Sequence, residues 1–223
     1  VLADAEPGAW LEAELADRLM NISGIPTTPI KLAPDAESAA RLGKELGFPV
    51  VMKIASPDIP HKSDVNGILL NLGSAAEIAE GFEVLMARVQ AQRPDAKLEG
   101  VLIQRMIPPG QEVILGAVRD PQFGALMMFG SGGVEVEGLK DVAFALAPLS
   151  VREAEKMLEK TWAGRKLAGY RNLAPADRVG VVDALRRLGQ LAHDLPEIAE
   201  IEINPLTVLE DGVVAVDIRV KVA

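Results

Sequence analysis

The feature that most constrains the fold is the alternation of apolar and polar residues in IAEIEINPLTVLEDGVVAVDIRV, close to the C-terminus. In residues 200–204, isoleucines alternate with two glutamates and Asn204, so a strand here has one apolar face and one oxygen-rich face. The Asp211-Gly212 pair predicts a two-residue hairpin turn. The returning strand then brings Asp217 to the same face as Asn204, and Pro205 is expected to bulge the register.

Strands and helices are interleaved along the rest of the chain. Apolar or β-branched segments predict strands at VVMKI, GILLNL, VLIQRM, EVILGAV, ALMMFG and VAFALAPL. Helices are predicted in WLEAELADRLM, in APDAESAARLGKEL with Pro34 in its first turn, and roughly over residues 176–195. Ser-x-x-Glu sequences at Ser74 and Ser150 predict two capping boxes. Because several strand pairs have short connections, we predict an α/β fold with mixed α+β sheets rather than a doubly wound parallel sheet.

Composition and charge disfavour several classes of protein. The net charge is −9 and there is no basic stripe interleaved with aromatic residues, so extended binding to nucleic acid is disfavoured. The longest apolar runs fall far short of the roughly 20 residues that cross a bilayer, so no membrane span is expected. The absence of cysteine removes disulfides and thiolate sites, and it favours a cytoplasmic location.

The length of 223 residues suits one domain of two lobes. Proline and glycine cluster near residues 94–100 and mark a boundary. We therefore expect a small lobe at approximately 22–100, and a larger lobe at approximately 1–21 plus 101–223.

Lys53 lies inside an otherwise apolar predicted strand, where an ammonium group is costly unless it meets an anion or reaches water. The alternative is a lysine at the strand end whose ammonium extends into solvent. Asn204 and Asp217 offer the hard oxygen ligands that suit Mg²⁺, although a merely exposed polar face is the other interpretation. A lysine and a divalent cation together would let an acidic protein hold a triphosphate.

His61, one of only two histidines, opens the loop sequence HKSDVNG between a proline-rich approach and Gly67. A buried structural histidine more usually lies inside an apolar periodic run, and a solvated loop side chain is one interpretation of an imidazole at such a position. His193, near the end of a predicted helix, is interpreted as a surface residue.

Three further segments carry weaker signals for nucleotide binding. The FGSGG sequence at Phe129–Gly133 would bring backbone N–H groups close to a phosphate, although a plain tight turn is the usual interpretation of a short glycine run. The segment from Gln104 to Ile107 suits backbone recognition of an adenine edge. Glu112 suits ribose hydroxyls, and a salt-bridged surface glutamate is the alternative.

Several ordered segments together resemble one family almost from end to end. They are GIPTTP, GFPVVMKIASPDIPHKSDVNGI, GVLIQRMIPPGQEVILGAVRDPQFGALMMFGSGGVEVEGLKDVAFALAPL, LAGYRN, and PEIAEIEINPL followed by AVDIR. The chain thus resembles the ATP-grasp domain or β subunit of NDP-forming acyl-CoA synthetases, of the ADP-forming acetyl-CoA synthetase type and related to the succinyl-CoA synthetase β subunit. The resemblance implies a single ATP-grasp domain over residues 1–223, with nucleotide between two lobes.

The resemblance also implies roles for individual residues. Lys53 is similar to the lysine that contacts nucleotide phosphates, and Asn204 with Asp217 to the Mg²⁺ ligands. His61 resembles the loop histidine that accepts phosphate and relays it. Further nucleotide contacts are implied at the adenine hinge, at Gln104, Met106 and Ile107, and at the ribose, at Glu112.

By the same resemblance, ATP, a carboxylic acid and CoA interconvert with acyl-CoA, ADP and phosphate. The acid and CoA are expected on a CoA-binding and ligase α-type subunit or fused domain. The alternatives are a nucleotide- or acyl-CoA-sensing module of a larger regulator such as a protein acetyltransferase, and a carboxylate-amine ligase. Two positions depart from the family pattern, since Asn66 and Asn172 replace glycines, and asparagine tolerates left-handed backbone.

Overall fold

The computed structural model describes residues 6–59, 61–132 and 141–223. The chain divides into a larger unit, Val1–Thr27 with Pro108–Ala223, and a smaller unit, Thr28–Ile107. The sequence interpretation placed the second boundary near residue 100. The observed boundary follows the strand at Gly100–Arg105, because that strand pairs within the sheet of the smaller unit.

The smaller unit is a four-stranded antiparallel sheet with two helices. Its sheet has the order β1-β4-β2-β3. Its elements are β1 (Ile30–Ala33), α2 (Ala36–Leu46), β2 (Val50–Ala55), a 3-10 turn (Lys62–Val65), β3 (Ile68–Leu72), α3 (Ala75–Gln92) and β4 (Gly100–Arg105). Both helices pack on the sheet through apolar faces, and the four α3 residues that the pattern turns inward, Ile78, Phe82, Leu85 and Val89, are all buried.

Side-chain caps start both helices of this unit. The Asp35 carboxylate accepts the Ser38 N–H at 2.7 Å, so α2 begins after Asp35. Pro34 therefore lies before the cap, and its prediction in the first turn is wrong by two residues. At α3, Ser74 Oγ accepts the Glu77 N–H at 3.3 Å, which confirms the forward half of that capping box. The Glu77 carboxylate instead accepts the N–H of the residue before the cap.

The larger unit holds a six-stranded antiparallel sheet and four helices within the described residues. The main path through the sheet is β10-β8-β5-β6-β7, and β9 also pairs with β8. The elements are α1 (Ala13–Ile22), β5 (Gln111–Asp120), β6 (Gly124–Ser131), β7 (Val142–Leu146), α4 (Val151–Lys160), α5 (Trp162–Lys166), α6 (Arg178–Asp194), β8 (Ile198–Val208), β9 (Val213–Ala215) and β10 (Ile218–Val222).

One face of this sheet forms the core with the helices. Ile201 and Ile203 of β8 are buried, as the alternating pattern predicts, and they pair across to Ala117 and Leu115 of β5. The helices contribute the other side of the core, chiefly through α6 and α4. The opposite face of the sheet carries the polar members of the alternation, and it is this face that positions the candidate metal ligands.

The hairpin after β8 turns at a different place from the prediction. Val208 pairs with Val213, and the Leu209 N–H donates to the Gly212 carbonyl at 3.0 Å. The central residues of the turn are therefore Glu210-Asp211, and the prediction of Asp211-Gly212 is wrong by one residue. A tertiary contact accounts for the difference, because the Gly212 N–H donates to the Asp177 carboxylate at 3.0 Å.

Side chains also secure both ends of α6. Asp177 accepts the Gly180 N–H at 2.8 Å at the first turn. At the other end the Arg119 guanidinium donates to the carbonyls of Ala192, Leu195 and Ile198. These contacts tie the helix to the sheet, because Arg119 lies in β5.

At α4, Ser150 and Glu153 form the complete capping box that the sequence predicts. Within the described ranges, none of the helices combines the length and apolar character that a bilayer span requires.

Candidate active site

Asn204 and Asp217 lie directly opposite each other on neighbouring segments of the larger unit. The Asn204 N–H donates to the Asp217 carbonyl at 3.0 Å, and the Val216 N–H donates to the Pro205 carbonyl at 3.1 Å. The pairing of β8 with its returning segment is thus unshifted here, and the expected bulge at Pro205 occurs instead on the β5 side, where the register shifts by one residue. The structure brings this predicted pair together, and its metal-binding role stays a prediction.

The donor set of this pair fits Mg²⁺. Within the described parts of the chain there is no group of three or more histidine, cysteine or acidic residues arranged to hold a metal ion. Mg²⁺ does not need one, because it commonly binds through one or two protein oxygens and takes its remaining ligands from phosphates and water. An amide oxygen and a carboxylate oxygen therefore suit a metal ion that arrives with a nucleotide.

Lys53 lies in the interior of the smaller sheet. Its strand, β2, is flanked by β3 and β4, and Lys53 pairs with Ile68 and Leu102. Only 5% of the residue is exposed, so the alternative of a strand-end lysine extending into solvent is not supported. Burying an ammonium group is costly, which is the physical argument for a lysine that serves an anionic ligand.

Two of the three residues that are predicted to contact adenine already make hydrogen bonds within the smaller unit. The Gln104 side chain is buried and donates through Nε2 to the Thr28 carbonyl at 3.0 Å. The Met106 N–H donates to the Pro49 carbonyl at 3.0 Å, so an adenine contact from Met106 must use its carbonyl or side chain. Ile107 is the last residue of this unit. The adenine role of all three residues stays a prediction.

Glu112 is exposed near the start of β5 and lines a cleft of about 610 Å³ in the larger unit. The cleft is formed by the start of β5, the end of β8 with its turn, and the segment before α6. Its lining residues are Pro109, Gly110, Gln111, Glu112, Gly132, Lys166, Leu173, Ala174, Pro175, Ala176, Val208, Leu209 and Glu210. An exposed carboxylate at the wall of a cleft agrees with the predicted ribose contact without testing it.

His61 is exposed at the start of the 3-10 turn, and its side chain caps nothing there. The loop is attached on both sides. Before the histidine, Ile59 is buried and Asp58 accepts the Lys97 N–H at 2.7 Å. After it, Val65 is buried against the core of the smaller unit. The imidazole is therefore presented to solvent on a loop with two anchored arms. Pro60, in the proline-rich approach to this loop, lies outside the described residues.

The two asparagines that replace family glycines differ in backbone conformation. Asn66 has a φ of 50° and is left-handed, so asparagine is a mild replacement there. In the second segment the non-glycine residue with positive φ is Arg171, at 51°, and not Asn172. The Arg171 guanidinium lies 5.3 Å from the centre of the Tyr170 ring.

The glycine-rich FGSGG sequence is not a turn in its first part. Phe129, Gly130 and Ser131 belong to β6 and are buried, so the prediction of a tight turn with accessible N–H groups is wrong for these three residues. Strand pairing with β5 explains the difference. Gly133 lies outside the described residues.

Sequence reasoning missed Asp141, which joins β6 to α5. Its carboxylate accepts the N–H groups of Trp162 and Ala163 at 2.6 and 2.8 Å, and the Ser131 hydroxyl at 3.0 Å. Burial raises the pKa of this carboxyl, but these hydrogen bonds and the nearby Arg165 charge outweigh it, so the pKa lies below its ordinary value. The local signal in the sequence is Thr161, which can cap a helix that starts at Trp162. That signal does not show that Asp141, twenty residues earlier, accepts hydrogen bonds from the same helix start.

The fold places the chain in the ATP-grasp class. A synthetase from Candidatus Korarchaeum cryptofilum, solved with coenzyme A and Ca-AMPCP, superposes with a TM-score of 0.92 at 41% identity, covering 96% of this chain and 94% of that one. The family model of the ATP-grasp domain matches residues 2–222, and the chain belongs to this family. A second Korarchaeum structure, with Mg-AMPPCP and a phosphohistidine segment pointing towards the nucleotide site, gives 0.83 at 39% identity, with 96% and 93% coverage.

Two relatives show how much of a ligase this chain corresponds to. The β subunit of acetate–CoA ligase (ADP-forming) I from Pyrococcus furiosus is 44% identical, over 97% of this chain and 93% of its own length. Acetate–CoA ligase (ADP-forming) I from Archaeoglobus fulgidus is 43% identical over 88% of this chain, but this match spans only 28% of that protein. The same domain therefore occurs both as a separate subunit and as part of a longer ligase.

Proposed function

We propose that this chain is the ATP-binding component of an ADP-forming acyl-CoA synthetase. The observation that carries the proposal is the 44% identity to a synthetase β subunit over 97% of the chain. The exposed His61 on its anchored loop supports it, because this chemistry needs an accessible nucleophile. The relatives described above are acyl-CoA ligases, which does not favour the regulatory-module or carboxylate-amine alternatives.

In the proposed reaction the buried ammonium of Lys53 balances charge on the nucleotide phosphates. A bound Mg²⁺ would be held by Asn204 and Asp217, and it supplies charge neutralisation at the transferring phosphoryl group. Glu112 would hold the ribose, and the segment of Gln104, Met106 and Ile107 the adenine. These assignments rest on the resemblance to the family, on the chemistry of the groups concerned, and on the opposed pairing of Asn204 with Asp217.

The phosphoryl step is an in-line displacement by His61. A neutral ring nitrogen attacks the γ-phosphorus of ATP, the bond to the bridging oxygen of ADP breaks, and ADP leaves with that electron pair. The imidazole loses its ring proton to solvent, which gives a neutral N-phosphorylated ring. Because His61 is exposed, its phosphoryl group is open to a second acceptor.

The later steps need a partner. We propose that a CoA-binding and ligase chain or domain binds the carboxylic acid and CoA. The support is that the match covers only 28% of the Archaeoglobus ligase, leaving most of that protein outside the ATP-grasp part. The proposed compartment is the cytoplasm, for which the cysteine-free sequence is the argument.

The test is phosphoryl transfer from γ-labelled ATP to the protein in the presence of the partner chain. Wild type should acquire an acid-labile, base-stable label, and His61→Ala should acquire none. His193→Ala is the matched control, because it removes the only other histidine, which is also exposed, and should label like wild type. Equal labelling of His61→Ala and wild type, or no label on wild type, would contradict the relay.

A further inference from the structure

One face of the larger sheet is apolar and half-exposed near its β7 edge. Alternate residues of β5, β6 and β7 point away from the helices, and cross-strand pairing joins them into two rows. Val118 pairs with Leu126 and Leu126 with Leu146, while Met128 pairs with Phe144. Val118 and Phe144 are each 53% exposed and Leu146 is 50% exposed. We call these five residues the β7 patch.

β7, which carries Phe144 and Leu146, lies at the edge of the sheet. Among the described residues, no strand pairs with the outer side of β7. β7 itself, Val142–Leu146, contains neither a charged residue nor proline, whereas natural edge strands are usually protected by charges, proline or a covering segment. An apolar, half-exposed edge of this kind is typical of an interaction surface.

The opposite edge of the same sheet shows the usual protection. There the segment around Trp10 runs along β10, with the Leu11 N–H donating to the Val220 carbonyl at 2.8 Å. The Trp10 ring also lies over the Arg219 guanidinium, at 4.2 Å from ring centre to Cζ. The chain thus covers one edge with its own residues and leaves the β7 patch apolar.

The patch is continuous with the candidate metal-binding face. Val118 pairs with Glu200, and Gly116, in the row of Met128, pairs with Glu202. Glu200, Glu202 and Asn204 alternate along β8 and share one face, so the apolar rows lead across the sheet to the row of Asn204 and Asp217. A macromolecule seated on the patch would lie on the side of the sheet that carries these ligands.

We propose that the β7 patch is the docking surface for the CoA-binding and ligase partner chain. This inference rests on the proposed function. The occupant is favoured by the relatives, since this domain occurs as a β subunit in Pyrococcus and as 28% of a longer ligase in Archaeoglobus, so the remaining ligase portion must meet it somewhere. A second copy of this chain, bound through a symmetric contact, is the other occupant that the test distinguishes.

The test is binding of this chain to the purified α subunit of Pyrococcus furiosus acetate–CoA ligase I. Binding is measured by sedimentation velocity and by titration of this chain, carrying a fluorescent label, with the α subunit. Phe144→Lys with Leu146→Lys should weaken the complex at least about tenfold, and Val118→Lys alone should weaken it less. The matched control is Val179→Lys, on α6 of the same unit, where the residue is 78% exposed but lies outside the patch. Thermal unfolding and Mg-ATP titration of each variant show that the fold and the nucleotide site are intact.

A complex weakened by the patch variants and unchanged by the control supports the proposal. A wild-type complex that is indifferent to the patch variants overturns it, as does a wild-type chain that forms no complex. Self-association of the chain alone, abolished by the patch variants, would assign the surface to a second copy instead. Failure of wild type to bind Mg-ATP would contradict the proposed function, and that result is separate from any binding to the α subunit.

Discussion

Lys53 places an ammonium group in the interior of a buried strand, and only 5% of the residue is exposed. Hydrophobic burial alone would favour an apolar side chain there, as at its buried neighbours Met52 and Ile54. Burying a charge at that position has a free-energy cost, and the proposed contact with nucleotide phosphates would give that charge a function.

Replacing Lys53 with methionine should separate these two effects. We expect affinity for Mg-ATP to fall at least about tenfold, which corresponds to about 1.4 kcal/mol, because a charged contact to phosphate is lost. Thermal unfolding without nucleotide measures separately what the Lys53 charge and its contacts contribute to the fold, because methionine keeps a side chain of similar length. Calorimetric titration and thermal unfolding measure the two quantities.

The control for that variant is Lys44→Ala, an exposed lysine in the last turn of α2, which should change neither quantity appreciably. Loss of folding in Lys53→Met, with no selective loss of nucleotide binding, would assign Lys53 a structural role.

Asp141 gives a second residue-level prediction. Because hydrogen bonding holds its pKa below the ordinary value of 3.8, its carboxylate stabilises the fold above that pH, and this contribution is lost as the pH falls through the lowered pKa. Asp141→Asn should thus reduce the free energy of unfolding by about 1–3 kcal/mol at pH 7, and by less in acid. Urea unfolding at a series of pH values tests this.

A matched variant for Asp141 is Asp183→Asn, which removes an exposed carboxylate that pairs with Arg187 on α6. Surface pairs of this kind contribute little, so its unfolding free energy should stay close to that of wild type. A difference between Asp141→Asn and wild type that persists undiminished at low pH would contradict the account of the carboxylate.

At the scale of elements, α6 is the helix that connects sheet and hairpin. At its start, the Asp177 carboxylate accepts the Gly212 N–H of the hairpin turn. At its end, the Arg119 guanidinium from β5 donates to the carbonyls of Ala192 and Leu195, and also to the Ile198 carbonyl at the start of β8. Terminal carbonyls that lose a partner in a partly buried setting cost more than the average hydrogen bond contributes. The sheet that carries Asn204 is therefore held in place partly by hydrogen bonds at the two ends of α6.

Arg119→Met should destabilise the larger unit by about 2–4 kcal/mol, because the carbonyls of Ala192, Leu195 and Ile198 lose a charged donor and only that of Leu195 keeps the Ile198 N–H among the bonds described. Urea unfolding followed by tryptophan fluorescence reports on this unit alone, since the two tryptophans, Trp10 and Trp162, both lie in it. Arg186→Met, an exposed arginine on α6, is the control and should unfold like wild type. An equal effect of the two substitutions would refute the capping role of Arg119.

At the scale of the whole molecule, a net charge of −9 opposes the binding of any polyanion. Local cations must overcome that field. The smaller unit offers the buried Lys53, and the larger unit offers Asn204 and Asp217 as proposed ligands of a divalent cation. Nucleotide binding should accordingly depend on the divalent cation more strongly than it would in a basic protein.

Removal of Mg²⁺ with EDTA should weaken ATP binding at least about tenfold in wild type. In Asp217→Asn this dependence should be largely lost, because one of the two protein oxygens that recruit the cation is changed. Asp211→Asn is the matched control, since it alters the net charge equally from the exposed hairpin turn. A dependence on Mg²⁺ that is the same in all three proteins would argue against Asn204 and Asp217 as ligands.

Local sequence patterns were sufficient for much of the fold. Strand alternation in residues 200–204, the inward face of α3 and the capping box of Ser150 with Glu153 follow from periodicity and cap chemistry, which act over a few residues. The residue types of the candidate site, above all Lys53 and the pair of Asn204 and Asp217, were also visible in sequence, because a lysine in an apolar strand and oxygens on one strand face are unusual locally.

Local patterns in the sequence thus predict most of the strands and helices, and they identify the side chains that are chemically suited to phosphate, metal and phosphoryl transfer. Contacts between distant segments place the hairpin turn at Glu210-Asp211, make Arg171 rather than Asn172 left-handed, and join β6 to α5 through Asp141. The two sets of features differ in the range of the interactions that produce them. Periodicity and capping act within a few residues, whereas these outcomes depend on hydrogen bonds and packing between residues far apart in the chain, such as the bond from Gly212 to Asp177.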